Sequence, residues 1–228
     1  MTRAFVLSGG GNLGAVQVGM LAALRERDIA PDILVGASVG ALNAAHVAAR
    51  GVSADVLDEL TRVWLRVRRR DVFPFDPLRM VLAVTGRQPS LCSSESLRRL
   101  IAHSLPYRLL EDAAVPVHVT ATNVFTGGVV CLGGGDAVTA VLASAAVPAV
   151  FPAVERGGLV LCDGGVADNS GISRAVALGA DEVWVLSAGY SCALTRPPAS
   201  ALGATLHAVS LLTHQRMLLE VAGFAGRV

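Results

Sequence analysis

The stretch DILVGASVGALNAA, residues 32–45, joins a short apolar run to a run of small residues and holds one serine, Ser38, at the junction. The apolar half is typical of a buried β-strand, and the small-residue half is typical of a helix. A sharp strand-to-helix turn strains the residue at its tip and pushes that side chain into the open. Gly36 and Gly40 leave room for such a turn, so the sequence predicts an exposed serine hydroxyl at a strand–helix elbow.

The same five residues, Gly36 to Gly40, fit G-x-S-x-G, a pattern typical of serine nucleophiles. The free N–H groups at the start of the following helix would lie beside the Ser38 hydroxyl. The bare pattern also occurs by chance, and an ordinary N-cap serine is the alternative interpretation. The setting favours the nucleophile hypothesis, because a strand is predicted at Ile33 to Ala37 and a helix at Val39 to Arg50.

A second strand–helix unit precedes the elbow. Ala4 to Ser8 is predicted as a buried strand, and a helical pattern runs from Ala15 to Arg27. Two such units in succession predict a parallel sheet with helices on its faces. Loops at the carboxyl ends of parallel strands meet at one edge of the sheet, so the loop of this first unit is expected beside Ser38.

That loop, GGGNLG at residues 9–14, fits the dinucleotide-binding pattern G-x-G-x-x-G. A nucleotide site also needs an acid about 20 residues later, and the serine motif fills that place instead. The loop N–H groups could converge on a phosphate or on an oxyanion that forms during a reaction, and a tight turn without a ligand is the alternative. The candidate residues of this loop are Gly9, Gly10, Gly11, Asn12 and Gly14.

A serine nucleophile needs a base, and the candidates are the histidines and one aspartate. None of the histidines lies in a glycine- or aspartate-marked loop; they are His46, His103, His118, His207 and His214. Asp163 is better placed, because it follows an apolar strand at Leu159 to Cys162 and precedes Gly164 and Gly165. A plain Asp-Gly turn is the other interpretation, and the spacing alone leaves both open.

The glycine loop, the serine motif and the late Asp-Gly-Gly, in this order, resemble the patatin-like phospholipase family. SAAVPAVFPAV from Ser144 is similar to the family's small-residue helix and its proline loop, and the likeness runs from about Thr2 to Gly189. The resemblance implies a three-layer α/β/α fold with a mainly parallel central sheet. It also implies one patatin-like domain over residues 1–228, with the motifs in about 2–189 and a C-terminal helix at about 200–222.

The chemistry that the resemblance implies is ester hydrolysis of acyl lipids through an acyl-enzyme, with a Ser–Asp dyad and no histidine. Ser38 would be the nucleophile, and Asp163 would orient it and take its proton. Backbone N–H groups around Gly10 and Gly11 would form the oxyanion hole, and neither a metal nor an organic cofactor is implied. The chain departs from the family pattern at Leu13, where the family often carries Arg or Lys, and at Gly171, which stands in the place of a proline.

Two other functions compete with this interpretation. One is an α/β-hydrolase esterase with a Ser-His-Asp triad that uses His207 or His214, although Ser38 comes early in the chain for that fold. The other is a non-catalytic lipid- or nucleotide-binding domain, which would not react covalently at Ser38.

Composition limits the class of protein further. The 228 residues are 53% hydrophobic and carry a formal net charge of +1, which argues against a nucleic-acid partner. A long Ala/Val-rich stretch at Ala137 to Val154 is interrupted by prolines, so we expect a buried helix and a loop instead of a membrane span. Residues Ser53 to Arg70 are predicted as one helix with Ser53 as its N-cap, and Asp71 to Pro89 as irregular.

The expected location is cytoplasmic. The start of the chain is a poor signal peptide, because three glycines interrupt its apolar run. The scattered cysteines, Cys92, Cys131, Cys162 and Cys192, predict four buried thiols in a reducing compartment. Five arginines lie close to Trp64 in the sequence, at positions 62, 66, 68, 69 and 70. A solvated helix face is the simpler interpretation of this cluster, and peripheral contact with an anionic membrane is the alternative.

Overall fold

The computed structural model describes residues 1–188 and 196–223. Its centre is the parallel pair of strand β1 (Arg3–Leu7) and strand β2 (Ile33–Ala37), with Leu7 level with Gly36. Side chains alternate across this pair, since Phe5 packs in the larger core on one face and Val6 in a smaller core on the other. Burial on both faces explains why these strands read as continuous apolar runs.

The remaining strands complete a seven-stranded sheet in the order β5-β6-β3-β2-β1-β7, with β4 also pairing β3. Strands β3 (Val117–Asn123) and β7 (Glu182–Leu186) extend the parallel centre. Strands β4 (Val129–Leu132), β5 (Val154–Arg156) and β6 (Leu159–Asp163) are added antiparallel. The predicted α/β fold class is confirmed, with a sheet that is parallel in the middle and mixed as a whole.

Helices cover both faces of the sheet. The larger core gathers side chains from five helices, which are α1 (Gly14–Arg25), α2 (Val39–Ala48), α3 (Ala54–Arg66), α6 (Glu95–Ser104) and α7 (Ala137–Ser144). The opposite face is packed by α8 (Ile172–Ala177), whose Ile172 and Ala175 contact β1 and β2. A last helix, α9 (Ala201–Gly223), lies against α8. No described helix has both the length and the apolar character that crossing a membrane requires.

The prediction for residues 53–89 was wrong in three details. The first helix ends at Arg66, and a separate short helix, α4 (Arg69–Val72), follows it. Ser53 occupies the N-cap position of α3, but its hydroxyl donates to the Asp55 carboxylate instead of capping the helix.

The region predicted as irregular also contains α5 (Pro77–Val84). Its proline lies in the first turn, where no N–H is needed, and Asp76 accepts a hydrogen bond from the backbone N–H of Arg79. Pro77 therefore begins a helix instead of interrupting one.

Two further differences concern an edge strand and the cysteines. The three-residue strand β5 was not predicted, because its hairpin partner is reached through two positive-φ glycines, Gly157 and Gly158. The expectation of buried thiols is correct for Cys162 but wrong for Cys92, which is half-buried, and for Cys131, which is exposed on β4. Cys192 and Gly189 lie outside the described residues.

Candidate active site

Ser38 occupies a strained position at the end of β2. Its φ of 52° and ψ of −122° lie in a region that residues other than glycine rarely adopt. A Cβ on Gly40 would lie 2.0 Å from the Leu7 carbonyl oxygen, and one on Gly36 would lie 2.6 Å from backbone atoms of the next helix. The predicted elbow is therefore present, and both of its glycines are sterically required.

The Ser38 hydroxyl does not cap helix α2. Ser38 stands at the N-cap position, but its Oγ donates a 2.6 Å hydrogen bond to Oδ2 of Asp163. Sheet register explains the meeting of residues so distant in sequence. Ala37 is level with Thr120 on β3, and the next residue of that strand, Ala121, is level with Asp163 on β6.

Asp163 forms an Asp-Gly turn and also contacts the Ser38 hydroxyl. Its Oδ1 accepts a 2.8 Å hydrogen bond from the N–H of Gly165, which is an Asp-Gly turn, while its Oδ2 faces Ser38. The carboxylate is buried. Burial raises the pKa of Asp163 to about 6, although the hydrogen bonds from Ser38 and Gly165 act in the opposite direction.

Two buried hydroxyl residues that the sequence analysis missed hold this pair in place. The Ser144 Oγ accepts a 2.9 Å hydrogen bond from the backbone N–H of Ser38. Thr122 donates to the Asp163 carbonyl oxygen at 2.8 Å and accepts from the N–H of Ala167. Ser144 could have been noticed, because it opens the family-like SAAVP stretch; a threonine at the end of a strand carries no such signal.

The glycine loop forms a short 3-10 turn, Gly11–Leu13, before α1. The N–H of Gly9 donates to Oδ1 of Asn169 at 2.7 Å, and the N–H of Gly14 donates to the Gly11 carbonyl oxygen. Both groups are therefore engaged within the protein. Among the described residues, nothing accepts a hydrogen bond from the N–H groups of Gly10, Gly11 and Asn12.

A buried polar network fixes the loop to the sheet and to two helices. The Asn43 side-chain amide donates to the carbonyl oxygen of Gly14 at 2.9 Å and to Gln17 at 2.8 Å. Gln17 in turn donates to the carbonyl oxygens of Ser8 and Leu186, and the Trp64 indole donates to Asn43. Because these buried amides are hydrogen-bonded to the loop, the sheet and the helices, they hold the loop in one position. No sequence motif indicates this network.

Ser38 opens into a cavity of about 700 Å³. Gly11 and Asn12 of the glycine loop also line it, so the hydroxyl and two free N–H groups share one space. The remaining walls are mainly apolar side chains of α2, α3, α6 and α7 and the loop after α7, including Leu42, Val63, Leu97, Ile101, Val141, Ala145 and Phe151. The described residues contain no cluster of three or more His, Cys, Asp or Glu side chains that could hold a metal ion.

Comparison with known proteins identifies the family. The model of the patatin-like phospholipase family matches residues 5–176, which include the glycine loop, Ser38 and Asp163. The chain belongs to the patatin-like phospholipase family. This patatin-like chain is 29% identical over 184 residues to Lysophospholipase nte1 of Aspergillus terreus and 28% identical over 184 residues to Lysophospholipase NTE1 of Coccidioides immitis.

These relatives are much longer proteins. Each alignment covers 81% of this chain but only 12% or 11% of the relative. Among solved structures, VipD from Legionella pneumophila is similar with a TM-score of 0.52 and 16% identity, over 74% of this chain and 46% of that protein. The structural likeness supports the patatin-like fold.

The histidines of this patatin-like chain lie elsewhere. The Ser38–Asp163 hydrogen bond is direct, so no imidazole lies between the two side chains. His46 is buried in α2 with its Nδ1 2.7 Å from the Ser104 carbonyl oxygen, and burial lowers its pKa. His207 and His214, the candidates for a triad, lie on α9.

The two departures from the family pattern have different structural meanings. Leu13 is exposed on the 3-10 turn. Gly171 adopts a φ of 63°, and a Cβ there would lie 2.8 Å from Val6. Proline has its φ fixed near −65°, so the residue that the family usually has at this place could not adopt the backbone found here.

Proposed function

We propose that this chain is a serine hydrolase that cleaves acyl esters of lipids, of the phospholipase A, lysophospholipase or esterase type. The observation that carries the proposal is the 2.6 Å hydrogen bond from Ser38 to Asp163 at the wall of an apolar cavity. Membership of the patatin-like phospholipase family and the lysophospholipase names of its relatives support the same substrate class. One domain that contains both residues is sufficient for this chemistry.

In the acylation step, the Ser38 Oγ attacks the ester carbonyl carbon while its proton moves to Asp163 Oδ2. The carbonyl π electrons become an oxyanion. When that intermediate collapses, the C–O bond to the alcohol breaks, and the leaving oxygen takes the proton back from Asp163. The raised pKa of Asp163 makes it a better proton acceptor than an ordinary aspartate, and its position against Oγ supplies the alignment.

Deacylation repeats the same transfers with water. Asp163 takes a proton from a water molecule, and the resulting hydroxide attacks the carbonyl carbon of the acyl-enzyme. The bond to Ser38 Oγ breaks, and the serine recovers its proton from Asp163. The products are a carboxylic acid and the free enzyme, and neither a metal nor an organic cofactor takes part.

The oxyanion is stabilised by the N–H groups of Gly10, Gly11 and Asn12. They are the members of the glycine loop without an acceptor in the described chain, whereas the N–H groups of Gly9 and Gly14 are already bonded. We therefore restrict the predicted oxyanion hole to these three residues. Fixed donors in a water-poor site are worth roughly 10²–10³ in rate each.

The test is covalent labelling by a fluorophosphonate, followed by mass mapping of the adduct. The serine oxygen displaces fluoride from phosphorus, so the expected result is one adduct on Ser38 that disappears in Ser38→Ala. Ser93→Ala, a change of a serine outside the cavity lining, is the matched control and should label normally. Folded protein that gives no adduct, or an adduct on another serine, would support the non-catalytic alternative.

A further inference from the structure

Positive charge is concentrated in one segment of the chain, residues 62–87. It holds seven arginines and two aspartates, a net charge of +5, in a chain whose formal net charge is +1. Of these arginines, only Arg70 lies within 4.0 Å of a carboxylate oxygen, that of Asp71, among the described residues. The segment therefore carries positive charge that the rest of the chain does not neutralise.

The same segment forms one wall of the Ser38 cavity. Arg68 and Arg69 line that cavity together with Val72 and Phe73. The ring of Phe73 stacks on Phe151 with centroids 5.7 Å apart, which joins the segment to the loop after α7. The cavity-lining part of the segment ends at Phe73, and α5 begins a few residues later, at Pro77.

Beyond the cavity wall, the segment exposes large apolar side chains. Five of them are between 61% and 82% exposed, and these are Leu65, Phe75, Leu78, Val81 and Val84. Within the described chain, neither α4 nor α5 has a buried residue. Single exposed apolar residues are ordinary, but a concentration of them in one segment of a surface marks an interaction site.

We propose that residues 62–87 dock the protein on an anionic lipid surface. A bilayer interface suits a segment in which exposed apolar side chains alternate with arginines that outnumber their carboxylate partners. The apolar side chains would enter the acyl boundary, and the arginines would contact lipid phosphates. A second copy of the chain is a poorer occupant, because two surfaces of net charge +5 would repel each other. Docking itself does not depend on the proposed function. Only its consequence does, namely that the ester of a docked lipid would lie beside the cavity that holds Ser38.

The experiment measures vesicle binding by co-sedimentation in the Ser38→Ala background, so that turnover plays no part. The vesicles are phosphatidylcholine mixed with phosphatidylserine, and pure phosphatidylcholine. The double variant Arg66→Gln, Arg70→Gln should weaken binding to the anionic vesicles by roughly 30-fold, because each arginine at such a surface contributes about a fivefold factor. The same binding should weaken with added salt.

The apolar contribution is tested with Phe75→Ser and Val84→Ser, each of which should lower binding by about tenfold. Matched controls carry the same changes on other surfaces. Arg25→Gln with Arg27→Gln alters the carboxyl end of α1 and the turn after it, and Val176→Ser alters α8 on the opposite face of the sheet. These controls should bind vesicles as the parent does.

Three outcomes would overturn the inference. In the first, the parent chain does not bind anionic vesicles. In the second, the segment variants and their controls lose vesicle binding equally. In the third, the segment mediates only concentration-dependent self-association. Failure of the proposed function is a separate result, since it would appear as absent labelling of Ser38 in the parent chain while vesicle binding persists.

Discussion

The Ser38 hydroxyl and the Asp163 carboxylate are 125 residues apart in sequence and 2.6 Å apart in the fold. The acceptor is buried, and burial raises its pKa to about 6. A proton acceptor with this pKa is ionised at neutral pH but retains more affinity for a proton than a solvated aspartate. The relationship sets both the expected pH dependence of activity and a cost in stability.

Asp163→Asn should reduce turnover of a soluble p-nitrophenyl ester by roughly 10³-fold or more, because it removes the proton acceptor and keeps the shape. In the parent chain, kcat/KM should rise with pH through an apparent pKa near 6, since the ionised carboxylate is the active form.

His207→Ala and His214→Ala should keep most of the activity. A folded histidine variant as inactive as Ser38→Ala would establish the triad instead of the dyad.

Asp163→Asn should also stabilise the fold at neutral pH. The pKa of Asp163 is raised from an unfolded value of about 3.9 to about 6, so the folded state loses stability as pH rises through this window. The loss is complete above about pH 7 and amounts to about 2–3 kcal/mol. Urea unfolding of Asp163→Asn should therefore show a gain over the parent that is large at pH 8 and smaller at pH 5. A gain that does not change with pH would contradict the raised pKa.

The steric requirement at the elbow predicts opposite effects for two helix glycines. Gly40→Ala should lower the free energy of unfolding by about 3 kcal/mol or more, because its Cβ would overlap the Leu7 carbonyl oxygen. Gly19→Ala is the matched control on α1, where a Cβ meets open space, and it should stabilise by about 0.5–1 kcal/mol. Denaturant unfolding checks both, and an unchanged free energy of unfolding in Gly40→Ala would show that the space around Gly40 is not as restricted as described.

Asn169 should act on catalysis through the glycine loop. Asn169→Ala removes the acceptor of the Gly9 N–H and should lower kcat by roughly tenfold while KM changes little, because the oxyanion donors next to Gly9 lose their fixed position. Asn123→Ala removes a similar side-chain acceptor, that of the Phe125 N–H, and serves as the control. Equal kcat values for the two variants would assign Asn169 a purely structural role.

The size of the cavity should limit the acyl chain. Ala145 lines the cavity, so Ala145→Phe should reduce kcat/KM for long-chain esters by roughly tenfold or more and leave a short-chain ester nearly unaffected. A series of p-nitrophenyl esters of increasing length supplies the internal control. Parallel loss for all chain lengths would mean that the acyl chain does not occupy this space.

The sequence by itself determined the features that depend on neighbouring residues. The strand–turn–helix at Ser38, with glycines at positions 36 and 40, follows from local sterics, because a side chain at either glycine overlaps adjacent backbone. The parallel centre of the sheet follows from two apolar strands that are each followed by a helix. The family was also evident in the order of the three motifs, which the match over residues 5–176 confirms.

The tertiary structure alone decided which groups meet and how burial changes them. The sequence left Asp163 open between a turn residue and a base, and only the register of β2, β3 and β6 places its carboxylate against Ser38. Which loop N–H groups are free depends on Asn169, more than 150 residues after Gly9. Contacts between distant segments and the desolvation they cause are properties of the packed chain, because each depends on where the other residues end up in space and not on their order along the sequence.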